Sequence, residues 1–274
     1  MKRRIDWVNV ALSIFCVCMI LFIAAPLVIV VANSFNAASY SVFPPTGFSL
    51  QWYEKLAGVK KFLTGAKNSI TAALMAVGMG LIIGVPASYA LARYRMRGRN
   101  AIQSLIMLPM TIPKIVFGLS MFICFMDLGL YNKLYGLGLA HSMLVLPYVV
   151  LMVTAAIKNI SRQQEEAAMD LGARPVAVFF RILVPQITVP VVMSCALGFI
   201  VSFDQVEASI FLLRSTNYTL PIEMMIYMEK YQDPTIAALS TVVMAAVLTL
   251  FGLLMLGLRR KGDIVGALAS SQRR

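Results

Sequence analysis

Six stretches of this chain, at residues 8–31, 69–92, 101–125, 136–157, 187–212 and 235–258, are built almost wholly of apolar side chains. Each is long enough, at 1.5 Å of rise per residue, to cross a hydrocarbon layer of about 30 Å. No water-soluble fold has an interior for six such segments. A bilayer accepts them on one condition: every backbone N–H and C=O must be satisfied within the segment, which in a chain of long apolar runs means α-helix. The sequence therefore predicts an all-α membrane protein with six transmembrane helices. Composition agrees, since only 13% of residues are charged and the mean hydropathy is +0.80, whereas soluble chains run near about 25% charged.

The formal charge of +12 does not mark a nucleic-acid binder, because the basic residues lie between the apolar runs instead of clustering on one soluble domain. They report topology. With the N-terminus placed in the cytoplasm, sixteen Lys and Arg fall on the inner side, including Arg93, Arg95, Arg97 and Arg99, and six on the outer side. Both termini are thus expected inside. Lys2-Arg3-Arg4 before the first run resembles a secretion signal, but that run exceeds the ~7–15 residues of a signal core, so a retained anchor is expected.

The resulting partition is a peripheral first helix (1–31), an outer loop (32–68), a core of five spans (69–258) holding a cytoplasmic loop (158–186), and a short polar tail (259–274) expected to be disordered. The outer loops carry Trp52, Tyr53, Tyr218, Tyr227 and Tyr231, which suit either interfacial helices or plain connections. Cys16, Cys18, Cys124 and Cys195 all lie in apolar runs, so free thiols are expected. His141 stands alone, which argues against a metal site.

The loop between the fourth and fifth spans is no passive connector. Glu165 to Leu171 are good helix formers with acids in the first turn. Gly172 reads as a C-cap and Pro175 as the first turn of a second helix. That helix presents Val178, Phe179, Ile182 and Leu183 on one stripe, with Pro185 expected to end it. Two short amphipathic helices at a tight bend are predicted.

These residues resemble the "EAA loop" of bacterial ABC importer permeases: Glu166-Ala167-Ala168, Gly172 four residues on, and Ile182-Leu183-Val184-Pro185 after nine more, with Val184 where Leu is usual. Leu108-Pro-Met-Thr-Ile-Pro113, Leu146-Pro-Tyr148, Ser202-Phe-Asp204, Thr219-Leu-Pro221 and Ala237-Ala-Leu-Ser240 look like the spermidine/putrescine permease branch. The resemblance implies a type I importer fold. It also implies coupling to an ABC ATPase dimer through Glu165, Glu166, Ala167, Ala168, Asp170, Leu171, Gly172, Ala173 and Pro175. Glu166 is expected to make polar contact there, and the two alanines to permit close approach. A second homologous permease, a periplasmic solute-binding protein and a location in the bacterial inner membrane are implied as well. The chain has no Gly-x-x-x-x-Gly-Lys-Ser/Thr run, so ATP and Mg are expected on the partner ATPase and no cofactor or catalysis in this chain. The glycines at 78, 80 and 84 read as helix-packing residues.

Three ionisable residues fall within the runs: Lys114, Asp204 and Glu207. Each costs roughly 2.5–3.5 kcal/mol at a helix centre, so such groups face a bundle interior or a watery path. On a straight helix Lys114 stands ~20 Å and Asp204 ~26 Å from the cytoplasmic end, and Asp204 and Glu207 share a face. They read as walls of a substrate pathway or, alternatively, as a buried ion pair. Glu207, nearer the outer interface, suits snorkelling or docking equally well. Tyr148, Phe203, Phe199 and Met193 are further pathway candidates, though such stripes more often pack. His141, near the outer end of its span, suits a capping or interfacial role better than a proton relay.

In polyamine permeases an acid is expected after the proline where Lys114 stands, and a more acidic residue where Gln205 follows Asp204. A bare ammonium repels a polycation in a low dielectric. The expected cargo is therefore a small zwitterionic or anionic solute, such as an amino acid derivative, opine or phosphonate, with polyamine import as the alternative. An ion-coupled secondary transporter also has broken helices and midplane charges, but lacks such a loop. An intramembrane enzyme would need a second aspartate or a nucleophile near His141.

Overall fold

The computed structural model describes residues 7–271, and these form helices with no strand beyond one isolated bridge between Asn36 and Phe48. Four helices are long and apolar enough to cross a membrane, and two further pairs are bent; counting each bent pair as one span gives up to six.

The chain divides into two compact units. The first comprises residues up to Lys60 and from Ile226. Helix α1 (Trp7–Ser34) has no buried residue in its most apolar window, as a lipid-facing helix should. It packs along α13 (Thr235–Ser271), which also meets α2 (Gln51–Gly58). The segment after α1 is built around buried Asn36, whose Oδ1 accepts from Ala38 N, Thr46 N and Thr46 Oγ1. Trp52 of α2 donates to the Asn36 carbonyl at 2.7 Å. Lys55 of α2 pairs with Asp233 at 2.7 Å. The helix α13 carries on to Ser271, so the tail expected to be disordered is helical that far: nothing in 259–271 is a Pro that would stop it.

The second unit, Lys61–Met225, holds the core. Helix α3 (Lys60–Arg93) begins nine residues before the span expected at 69, since residues 60–68 hold no proline to stop it. It is followed by α4 (Arg99–Thr111), α5 (Lys114–Asp127) and α6 (Leu134–Lys158). The central helix is α6, packed on α10 (Thr188–Phe203). Ala76 and Val77 of α3, Val145, Val149, Val153 and Ile157 of α6, and Leu183 and Ile187 form its dry centre. Gly84 is required there, since a Cβ would stand 2.7 Å from Val149 Cγ1. Gly78 faces open space, so only part of the glycine cluster packs.

The third run is not one rod. Helices α4 and α5 meet at 103°. Proline forces the residue before it out of the helical region, and Ile112 and Pro113 are accordingly extended, with ψ of 135° and 128°. Rise along a straight helix therefore does not give the height of Lys114.

The fifth run starts earlier and ends sooner than expected. After α7 (Gln163–Asp170) and α8 (Pro175–Val178), the chain passes through a π turn (Phe179–Leu183) and α9 (Val184–Gln186) into α10. Pro185 does not end this path. The wider π turn, closed by Val184 N to Phe179 O, accommodates its ring. The two stretches bend by 72° at Ile187. Pro190 lacks the N–H that would bind the Gln186 carbonyl, while Thr188 Oγ1 covers the carbonyls of Val184 and Pro185. Helix α10 stops at Phe203, and α11 is only Ser209–Leu212. Asp204 and Glu207 thus lie in a break, not on a shared helix face. Helix α12 (Leu220–Lys230) occupies part of the connection at 213–234.

Candidate functional site

The bent loop is held by a buried anchor. Adjacent glutamates on a helix point about 100° apart, and here they part company. Glu165 turns inward and is 3% exposed. Its Oε1 accepts from Arg93 Nε at 2.7 Å and from the terminal guanidinium nitrogen at 2.6 Å, and its Oε2 accepts from Tyr89 Oη at 3.1 Å. The same guanidinium reaches the Ile160 carbonyl at 3.0 Å. Tyr89 also meets Phe179 edge to face, at 5.3 Å between centroids. Both ends of the loop are therefore fastened to the last turn of α3. Glu165, expected among the ATPase-coupling residues, is buried against Arg93, which the sequence offered only as one of four closely spaced arginines after an apolar run.

Glu166 is exposed and pairs loosely with Arg162 at 2.9 Å. Gly172 takes φ +88°, the left-handed cap, and the N–H groups of Gly172 and Ala173 return to the carbonyls of Met169 and Ala168. This cap throws Leu171 outward to 91% exposure. Val176 and Phe180 stand exposed beside it. Ala167, Asp170 and Pro175 are exposed, and Ala168 and Ala173 half-buried. The product is an apolar knob rimmed by charge on a rigid base, suited to fill a socket.

The three ionisable residues of the apolar runs all stand at helix breaks. Lys114 opens α5 just after the bend and is exposed. Four residues on, Gly118 lies on the same face and against Ala208: a Cβ would be 2.7 Å from Ala208 Cα. The cation is thereby brought within about one helical turn of the break that carries Asp204 and Glu207. Both carboxylates are exposed, and Gln205 Nε2 donates to Glu207 at 3.0 Å. Among the described residues, none of the three charges has an ion-pair partner within 4.0 Å. Phe203 stacks on Phe199 at 5.8 Å, and Met193 is half-buried on the same helix. Tyr148, half-buried on α6, sits two helical turns from His141. His141 is no cap: it is fully buried, its ring between Ser202 and Ser209. No group of three or more His, Cys, Asp or Glu among the described residues could hold a metal ion.

Residues 80–261 match the family model described as "Binding-protein-dependent transport system inner membrane component". The Haemophilus influenzae spermidine/putrescine transport system permease protein PotC is 32% identical over 229 residues, 84% of this chain and 89% of that protein. The putrescine permease PotI of Escherichia coli is 30% identical, covering 82% and 83%. The molybdenum permease ModB of Mycobacterium bovis is 31% identical over 66% of this chain and 75% of its own length. Among solved structures, a bacterial ABC transporter that imports alginate matches with a TM-score of 0.73 at 19% identity, over 93% of this chain and 98% of that one. The knob, the anchor and the broken spans thus sit on a known scaffold, and the chain belongs to the binding-protein-dependent inner membrane components, as the permease subunit of an ABC importer.

Proposed function

We propose that this permease crosses the bacterial inner membrane six times, with both termini in the cytoplasm, and encloses a solute pathway together with a second, homologous permease. The loop at 158–186 is the socket piece for an ABC ATPase dimer. Leu171 supplies the apolar contact, and Glu166 and Asp170 the polar rim. ATP and Mg belong to the ATPase, whose closure moves the loop and, through the Arg93–Glu165 anchor, the foot of α3 as one body. A periplasmic binding protein delivers the cargo. The observation that supports this reading is the left-handed Gly172 cap presenting an almost wholly exposed leucine on a buried ionic base. Co-purification in mild detergent tests it: the ATPase should accompany the wild-type chain and be lost on deleting residues 166–173. Vanadate should stop uptake in vesicles, which an ion-coupled transporter would survive.

For the cargo, Lys114 beside the Asp204–Glu207 break gives the pathway both signs of charge, which suits a zwitterionic or anionic small solute. The names of the PotC and PotI relatives favour a second reading, polyamine import. Calorimetry on the cognate binding protein separates them: tight binding of spermidine or putrescine, with none of amino acid derivatives or phosphonates, refutes the first reading.

A further inference from the structure

The break between α10 and α11 has no Pro or Gly to cause it. The hydroxyls of Ser202 and Ser209 that flank it meet on one imidazole. Ser209 Oγ gives its proton to the Gln205 carbonyl at 2.6 Å, because a carbonyl can only accept. Ser209 Oγ is then free only to accept, so His141 Nε2, 2.9 Å away, carries the proton. His141 Nδ1 in turn accepts from Ser202 Oγ at 2.8 Å. Three hydrogen bonds run in series, each donor used once, with a neutral imidazole in the middle. Ser202 lies in the last turn of α10 and Ser209 is the first residue of α11. The ring therefore spans the five residues that carry Asp204 and Glu207. Gly118 closes the other side, its α-carbon close against Ala208.

We infer that His141 is a positioning residue for the charged locus. It fixes the path of residues 204–208, and with it the placing of both carboxylates relative to Lys114. The inference rests on the reading of that locus as part of the solute pathway. Every atom of the clamp is shielded from solvent, so His141 acts through the break and does not touch cargo. Its role requires one donor and one acceptor on opposite sides of one side chain, which glutamine can supply and leucine cannot.

The test uses the intact importer in lipid vesicles. Amide exchange of residues 203–210, followed by mass spectrometry, should speed up about tenfold or more in His141→Leu, where two buried hydroxyls lose their shared partner. His141→Gln should return to within about twofold of wild type. Exchange of residues 163–173 should stay unchanged in both, which separates loss of the clamp from general loss of fold. Equal exchange in wild type and His141→Leu overturns the inference, and so does failure of glutamine to rescue. The pathway reading is checked separately on a chain with its four native cysteines replaced by serine. Asp204→Cys and Glu207→Cys should react with the water-soluble cation methanethiosulfonate ethylammonium. If neither reacts with or without ATP, that reading falls while the clamp result stands.

Discussion

Glu165→Gln is the most informative single change. It keeps the shape of the side chain and one acceptor oxygen for Arg93, with an NH2 that can donate to Tyr89 Oη, but removes the charge that faces Arg93. The guanidinium is then left without a counter-ion at a site where its side chain is 9% exposed. Breaking a buried pair by neutralising one partner costs about 3–5 kcal/mol. The lower end applies here, because Arg93 keeps the Ile160 carbonyl and the glutamine still accepts. At about 1.4 kcal/mol per factor of ten, ~3 kcal/mol raises the population of the detached loop by more than a hundredfold. Tryptic cleavage after Arg162 and amide exchange across residues 160–173 read this directly. Both should accelerate, and uptake should fall while the partner's ATPase activity persists uncoupled. Glu166→Gln is the control. Its pair with Arg162 is more than half exposed on both sides, so the loop should stay attached. Arg93→Glu combined with Glu165→Arg should recover part of the protection. Unchanged cleavage and uptake in Glu165→Gln would refute the anchoring argument.

Gly172→Val should abolish uptake with normal membrane insertion. Its φ of +88° costs a side chain roughly 1–2 kcal/mol, and nothing else lies within 4 Å of the new Cβ, so wild-type transport would contradict the role of the cap. Leu171→Asp should weaken ATPase association on the order of tenfold or more, since burying a leucine is worth about 1.5–3 kcal/mol; pull-down with the ATPase subunit measures it. Gly118→Ala should destabilise the chain by about 1–3 kcal/mol, by forcing a methyl against Ala208, seen as a lower melting temperature in detergent. The Lys55–Asp233 bridge predicts a pH window. Its hydrogen bond to Asp233 holds the Lys55 ammonium above its ordinary pKa of 10.5. Burial pushes the Asp233 carboxyl up, but hydrogen bonds from Lys55, Thr235 and Tyr227 outweigh it and hold the group below 3.8. The bridge therefore stabilises fully between those two ordinary values. Its contribution fades as pH falls through the lowered carboxyl value or rises through the raised ammonium value. With Lys55 46% exposed, its worth is below about 1 kcal/mol, and Lys55→Met should flatten this part of the melting profile.

What could be read from the sequence was whatever acts locally. Apolar runs marked the long helices, and Gly172 with Pro175 gave the bend. Misreadings arose where distant residues decide. Glu165 and Glu166 are equivalent in propensity, and only Arg93, 72 residues away, turns one of them inward. Pro185 looks like a stop, yet a π turn absorbs it. The run at 187–212 looks like one helix, since none of Asp204 to Ala208 is a breaker; the interruption coincides with hydroxyls that reach His141 from another span. Charge pattern suggested Lys114 and Asp204 as neighbours, but their common locus depends on a glycine contact that no periodicity reveals.

The 72° joint at Ile187 makes the stretch Pro175–Gln186 and α10 the two arms of a crank. The long arm is 16 residues, or about 24 Å. Opening the elbow by ~10° would sweep the far tip, where Asp204 sits, through about 4 Å. That is the breadth of a small solute, so under the proposed coupling a modest push on the short arm would be felt as a solute-sized displacement at the other end of α10.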